Sequence, residues 1–159
     1  LQWITLTACL CTSVISYPSA GSSDLVDFQL FDLSGQKHTL SDYRDRWVII
    51  NFWATWCGPC IRGIPHLNEL AASFGDSISI IGVTDEPVEK VRGFMKKTSM
   101  QYGVATDTQK RMKSAIGCSA IPLSLVIGSD NIVRWQGHPS KLTQSIIQQV
   151  LPSIGGLKQ

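Results

Sequence analysis

The stretch that decides the fold is residues 47–60, which read WVIINFWATWCGPC. Its first six residues form an apolar run of the length typical of a buried strand. After Cys60, apolar side chains recur at three-to-four spacing (Ile61, Ile64, Leu67), as on one face of a helix. We therefore expect the two thiols of the Cys-x-x-Cys motif to lie where a strand turns into a helix.

This placement suits a redox-active dithiol. A thiolate, not a thiol, attacks a disulfide, and the free N–H groups and dipole of a helix N-terminus stabilise negative charge. Cys57 is therefore predicted to be the partly ionised, exposed nucleophile. Cys60, one turn further on, is placed to attack a mixed disulfide on Cys57 and release the reduced product.

A Cys-x-x-Cys pair is also half of a zinc site, which needs a second pair of ligands at suitable spacing. The other cysteines and the histidines are scattered singly: Cys9, Cys11, Cys118, His38, His66 and His138. We therefore predict no metal site. His66, six residues past Cys60, is expected to face solvent.

Composition indicates one globular domain. The chain has 159 residues, 43% of them hydrophobic and 16% charged, and its 14 basic and 12 acidic residues give no broad electrostatic footprint for nucleic acid. Strand and helix signals alternate, which predicts an α/β fold with a central mixed sheet and helices on both faces. Predicted strands cover residues 47–52, 77–83, 102–105, 123–127 and 132–136, and predicted helices 87–97, 108–115 and a last one with Leu142, Ile146 and Val150 inward.

The motif at residues 56–60, WCGPC, is the active-site motif of thioredoxins. The wider pattern, over about residues 26–151, resembles the TlpA/ResA branch of extracytoplasmic thioredoxin-like proteins. This likeness rests on the segment 26–43, on Asn51 where thioredoxin has a buried aspartate, on Pro65, and on Ala120-Ile121-Pro122 before an apolar run. It implies a thioredoxin fold with an N-terminal β-hairpin and a helix and strand inserted within residues 77–117.

The resemblance also implies where a substrate binds. Pro122 is expected to form a cis peptide bond opposite the dithiol, baring the backbone of Ile121 for an extended substrate segment and denying metals a position beside the thiols. Trp56 is expected to belong to an exposed apolar docking patch. The residues expected to bind substrate are Trp56, Gly58, Pro59, Ile121 and Pro122.

In thioredoxins, a buried aspartate at the position of Asn51 assists the cysteine that corresponds to Cys60. An amide cannot take a proton, so the resemblance implies that another group accepts the proton of Cys60. Glu86 aligns with an acidic residue near the dithiol of ResA-like proteins and is predicted to be a catalytic general base. Two alternatives remain open: Asp85 competes for this role, and Glu86 is equally well explained as an acidic residue that complements a helix dipole. Cys118 is predicted to be a buried structural cysteine rather than a third redox thiol.

The first 20 residues are apolar and uncharged, like the hydrophobic part of a signal peptide whose basic start lies before Leu1. Residues 1–23 are expected to be a leader or anchor, and residues 24–159 the thioredoxin-like domain. Leu6-Thr7-Ala8-Cys9 also resembles a bacterial lipobox, which would make Cys9 a lipidated membrane anchor. We expect a location outside the cytoplasm.

The function predicted from these features is thiol-disulfide oxidoreduction without a bound cofactor, through the redox-active disulfide Cys57–Cys60. By resemblance it reduces protein disulfides, in cytochrome c maturation or envelope redox homeostasis, with a membrane thiol carrier as electron donor. Two alternative functions remain. A thiol peroxidase-like redoxin would place its cysteine in a Pro-rich, threonine-containing loop, and a copper-handling module would use a wider cysteine spacing with a partner histidine.

Overall fold

Strand β3 (Trp47–Phe52) is the centre of the fold, because all six of its residues are buried. It pairs in parallel with β4 (Ile78–Thr84) and antiparallel with β6 (Leu123–Ile127). A strand covered on both faces reads as a continuous apolar run, which is why the sequence predicted it within the correct bounds. The computed structural model describes residues 29–43 and 46–151, so the predicted leader and Cys9 lie outside the described residues.

The strands of the described residues form one mixed sheet in the order β2-β1-β5-β4-β3-β6-β7. The remaining strands are β1 (Gln29–Asp32), β2 (Lys37–Thr39), β5 (Gly103–Thr106) and β7 (Val133–Gly137). The helices are α1 (Gly58–Phe74), α2 (Val88–Met95), α3 (Arg111–Ala115) and α4 (Gln144–Val150), with short 3₁₀ helices at Leu40–Tyr43, Gly75–Ser77 and Pro139–Lys141. The predicted α/β architecture is confirmed.

Two apolar cores lie on opposite faces of β3 because side chains alternate along a strand. Val48, Ile50 and Phe52 belong to one core, which also contains Met112 of α3. Trp47 and Ile49 belong to the other, which holds the inner stripes of α1 and α4. Helices therefore cover both faces of the sheet.

The predicted N-terminal hairpin is present. β1 and β2 pair antiparallel around a turn at Gly35, whose φ of 87° is a conformation that glycine adopts without strain. β1 also pairs antiparallel with β5, so the hairpin extends the sheet at its β5 side. The segment 77–117, predicted to hold an inserted helix and strand, contains β4, α2, β5 and α3.

The residues predicted to face inward from the last helix do lie on the core side: Leu142 belongs to the core, and Ile146 and Val150 pack against it. Leu142 is buried but precedes α4, because Thr143 caps that helix and its Oγ1 accepts the N–H of Ile146 at 3.2 Å. Within α4 the fully buried residue is Ile147, which was not predicted, whereas Ile146 and Val150 are half-buried.

His66 does not simply face solvent. It is half-buried, and its Nε2 lies 2.9 Å from the carbonyl oxygen of Leu142. This contact links the middle of α1 to the segment before α4, which the spacing of apolar residues gave no means to predict. In the part of the chain that is described, no helix has the length and apolar character needed to cross a membrane.

Replacing Gly82 or Gly63 by alanine should change the free energy of unfolding in opposite directions. A Cβ on Gly82 would lie 3.0 Å from Nε1 of Trp53 and 3.2 Å from the Tyr102 ring, so Gly82→Ala should lower the free energy of unfolding by about 1–3 kcal/mol. Gly63, inside α1, has nothing within 4 Å of such a Cβ, so Gly63→Ala should raise it by about 0.5–1 kcal/mol. Urea unfolding of the oxidised proteins measures both. Equal changes in the two variants would contradict this account of the packing.

Candidate active site

Cys57 and Cys60 form a disulfide at the start of α1. Cys57 is the N-cap residue of this helix, with Gly58 and Pro59 as its first turn, and the Cys60 backbone N–H donates to Cys57 Sγ at 3.3 Å. Proline fits the first turn because that turn needs no backbone donor at its position. The sulfur predicted to act as nucleophile therefore already receives an N–H of the helix N-terminus.

The exposure of the motif differs from the prediction. Cys57 is only 5% exposed and Cys60 3%, because both pack in an apolar cluster with Trp53, Ala54 and Val91 of α2. Trp56, just before Cys57, is 68% exposed, and Pro59, between the two cysteines, is also exposed. These two residues form the surface beside the disulfide. In the oxidised state, then, the exposed part of the motif is its apolar rim and not the Cys57 sulfur.

The Ile121–Pro122 peptide bond is cis, as predicted, and both residues are half-buried. Ile121 packs against the cluster that contains the two cysteines. The next residue, Leu123, pairs with Phe52 at the end of β3, just ahead of the dithiol loop. Ile121 and Pro122 therefore lie at the same end of the sheet as the dithiol.

Glu86 lies just beyond the end of β4 and is buried, with 6% of its surface exposed. Its carboxylate accepts the backbone N–H of Thr55 at 2.6 Å and the Thr55 hydroxyl at 2.9 Å, and pairs with Lys90 Nζ at 2.6 Å. Burial raises the pKa of Glu86, but the hydrogen bonds from Lys90 and Thr55 outweigh it and hold the pKa below its usual value. Glu86 therefore fixes the loop two residues before Cys57.

Asp85, the alternative to Glu86, points to a different partner. It accepts from Lys113 of α3 at 3.3 Å and lies 3.5 Å from Lys110. The two adjacent carboxylates are therefore separated, one bound to the loop before the dithiol and the other to the start of α3. Of the two, only Glu86 hydrogen-bonds to the segment that carries Cys57.

The sequence and structural comparisons agree with this geometry. Residues 22–136 match the AhpC/TSA family. The chain is also 34% identical over 137 residues to the thiol-disulfide oxidoreductase ResA of Geobacillus thermodenitrificans, an alignment that covers 85% of this chain and 78% of the relative. The chain belongs to the AhpC/TSA family. Within it, the chain is a ResA-like thiol-disulfide oxidoreductase with a thioredoxin fold.

Two solved structures show the same fold. A Chlorobium tepidum protein assigned as the thiol:disulfide interchange protein DsbE superposes with a TM-score of 0.69 at 25% identity, covering 77% of this chain and 89% of the other. A protein from Bacteroides vulgatus described as a thiol-disulfide oxidoreductase gives a TM-score of 0.71 at 24% identity, covering 78% and 92%. The predicted resemblance to thioredoxin-like proteins is confirmed.

The ResA-like chain also contains a buried polar pair, of which the sequence drew attention only to Asn51. Asn51, 2% exposed, sits opposite Ser124 in the β3–β6 ladder, and the Ser124 hydroxyl donates to Asn51 Oδ1 at 3.0 Å. Ser124 is fully buried and was missed. Its signal was a hydroxyl inside the otherwise apolar run 123–127.

No arrangement suited to a metal ion occurs in the described part of this oxidoreductase, where no three or more His, Cys, Asp or Glu side chains converge. Cys118 is buried, as predicted, and its Sγ lies 3.4 Å from the carbonyl oxygen of Ala120. Burial is the main cause that raises the pKa of the Cys118 thiol. A raised pKa lowers the thiolate fraction and hence the reactivity of this cysteine.

Alkylation should therefore distinguish Cys118 from Cys57. In the reduced native protein at pH 8, iodoacetamide should label Cys57 first, and Cys118 at least about tenfold more slowly than in the urea-unfolded chain. Mass spectrometry of digested samples locates the label. Native labelling of Cys118 at its unfolded rate would show that this thiol is accessible.

Proposed function

We propose that this protein reduces disulfides of other proteins outside the cytoplasm, drawing electrons from a membrane thiol carrier. The observation that carries the disulfide-exchange chemistry of this proposal is the hydrogen bond from the Cys60 N–H to Cys57 Sγ at the start of α1. A donor placed at this sulfur stabilises a thiolate, the reactive form in disulfide exchange. No bound cofactor takes part, because the two cysteines carry both electrons.

The reaction has two exchange steps. The Cys57 thiolate attacks one sulfur of the substrate disulfide, forming a mixed disulfide and releasing the other substrate sulfur as a thiolate, which takes a proton from solvent. Cys60, deprotonated, then attacks Cys57 Sγ, which restores the Cys57–Cys60 disulfide and releases the second substrate thiolate. The substrate gains two electrons and the dithiol loses two. The membrane thiol carrier reduces the enzyme for the next cycle.

The proposed docking surface is formed by Trp56, Gly58, Pro59, Ile121 and Pro122. Trp56 and Pro59 offer exposed apolar surface beside the dithiol. The cis Ile121–Pro122 segment lies against the same cluster and precedes β6, so the Ile121 backbone is proposed to pair with an extended substrate segment.

The direction of electron transfer and the cellular location of the protein are proposed on different grounds. Gly58-Pro59 between the cysteines matches the reducing thioredoxins that the sequence resembles, which supports reduction. The resemblance to the TlpA/ResA branch is the ground for proposing work in cytochrome c maturation or envelope redox homeostasis. The apolar, uncharged residues 1–20 support export, with residues 1–23 as a leader or anchor before the domain at 24–159. Lipidation at Cys9 would tether that domain to a membrane.

Glu86 has two proposed roles, which its contacts do not support equally. As a general base it would accept the proton of Cys60, but a pKa held below the usual value makes a carboxylate a weaker base. As a positioning residue it would hold Thr55 and thereby the Cys57 loop, for which the two hydrogen bonds to Thr55 are direct support. The general-base role stays a prediction.

A redox titration tests the proposed direction. Equilibration in thiol buffers, followed by tryptophan fluorescence, should show a two-electron transition near or below about −250 mV for a reductase, whereas a transition between about −180 and −120 mV would indicate an oxidant or isomerase. Cys57→Ser should abolish the transition and turnover, and Cys60→Ser should accumulate the mixed disulfide with substrate. Cys118→Ser is the matched control and should keep the transition of the parent protein. The absence of any reversible transition in the parent would overturn the proposal.

Matched variants separate the two roles of Glu86. Thr55→Val removes one hydrogen bond to Glu86 while leaving its carboxylate in place, whereas Glu86→Gln removes the charge. If Glu86 accepts a proton, only Glu86→Gln should slow release of reduced substrate from the Cys57 mixed disulfide, by tenfold or more. If Glu86 positions the loop, both variants should slow attack on substrate as well. A Glu86→Gln protein with unchanged rates at neutral pH would remove Glu86 from the mechanism.

A further inference from the structure

Arg62 lies beside the dithiol although no family motif draws attention to it. Gly58 and Arg62 are one helical turn apart on the same face of α1, and Arg62 Nη1 lies 3.4 Å from the position that a Cβ on Gly58 would take. The guanidinium therefore reaches back along the helix to the residue that follows Cys57. This places it at the edge of the surface over which a substrate disulfide must approach.

The charge of Arg62 is not neutralised within the described residues. The ion pairs found there leave Arg62 without a carboxylate partner, and its side chain is exposed. Nor does the first turn of α1 contain an acidic residue. The guanidinium is thus available to an incoming anion.

The two carboxylates that follow β4, Asp85 and Glu86, already have partners. Glu86 is bound by Thr55 and Lys90, and Asp85 by Lys110 and Lys113. Their charges are compensated locally by lysines, so they do not offset Arg62. The rim of the dithiol on the α1 side is accordingly positive, next to the apolar surface of Trp56 and Pro59.

We propose that Arg62 is a specificity residue that favours protein disulfides in which an acidic side chain lies one or two positions from the attacked cysteine. A guanidinium presents a planar fork of donors that matches a carboxylate, in contrast to the single point charge of a lysine. An extended chain advances about 3.3–3.6 Å per residue, so a neighbour of the attacked cysteine can reach a group adjoining Gly58. This inference rests on the proposed function and names the substrate class of the same site.

The test uses disulfide-linked dimers of a short peptide with glutamate, glutamine or lysine directly after its cysteine. Pre-reduced protein is mixed with each dimer, and the second-order rate constant is read from tryptophan fluorescence. Each constant is divided by that for dithiothreitol with the same dimer, which removes the intrinsic reactivity of the peptide. The quantity compared is the glutamate-to-glutamine rate ratio.

Arg62→Gln should lower this ratio about two- to fivefold at low ionic strength, the range expected for an exposed charge pair. Arg62→Lys should keep part of the preference, and Lys37→Gln, which removes an equal charge at the far edge of the sheet in β2, should keep all of it. In about 1 M salt, where the Debye length falls to about 3 Å, the ratios of all four proteins should converge.

Three outcomes would overturn the assignment. If Arg62→Gln slows all three dimers equally, Arg62 acts on the Cys57 thiolate and not on the substrate. If the ratio is the same in the parent and Arg62→Gln proteins while both reduce every dimer, Arg62 has no role in selection although the oxidoreductase function stands. If the parent protein reduces none of the dimers, the proposed reduction of protein disulfides fails together with the inference.

Discussion

The active site depends on Cys57 Sγ, which both caps a helix and is proposed to react with substrate. Cys57 Sγ closes the open end of α1 by accepting the Cys60 N–H, and the same atom is the proposed nucleophile. A helix N-terminus leaves its first N–H groups without intrahelical partners, so a negative charge at the cap satisfies the helix while the helix stabilises the charge. The contact that caps the helix in the disulfide form is therefore also the one expected to stabilise the Cys57 thiolate in the reduced form.

The position of that sulfur is set by the sheet and by a buried carboxylate. β3 ends at Phe52, and the residues after it must turn sharply to place Cys57 at the helix start. Glu86, at the end of the neighbouring strand, holds Thr55 by two hydrogen bonds in the middle of this turn. A buried carboxylate is costly unless it is paired, and here Lys90 and Thr55 together supply the partners. The polar group is thus tolerated where it secures the loop that carries the nucleophile.

Much of this arrangement could be predicted from the sequence because the decisive signals are local. The buried run 47–52, the Cys-x-x-Cys motif and the glycine turn of the hairpin each specify their own conformation. What could not be predicted depends on contacts between distant segments. The burial of Cys57 reflects packing against α2, and the contact of His66 depends on where the chain returns before α4. Of the partners of Glu86, Thr55 lies 31 residues away in the chain. The start of α4 after Leu142 is marked by the capping hydroxyl of Thr143.

The pairing of β3 with β6 also limits how far the dithiol loop can move relative to the cis Ile121–Pro122 segment. The dithiol loop follows the last residue of β3, and the cis Ile121–Pro122 segment precedes the first residue of β6, where Phe52 and Leu123 are partners. Both segments are thereby attached to the same end of one antiparallel ladder. A slip of one residue would turn Ser124 away from Asn51 and move the apolar side chains of β6 into the core on the opposite face. The two segments are therefore held in register by the packing of both cores. New substrate preferences must therefore arise from side chains on the rim, where a substitution changes recognition without moving the frame.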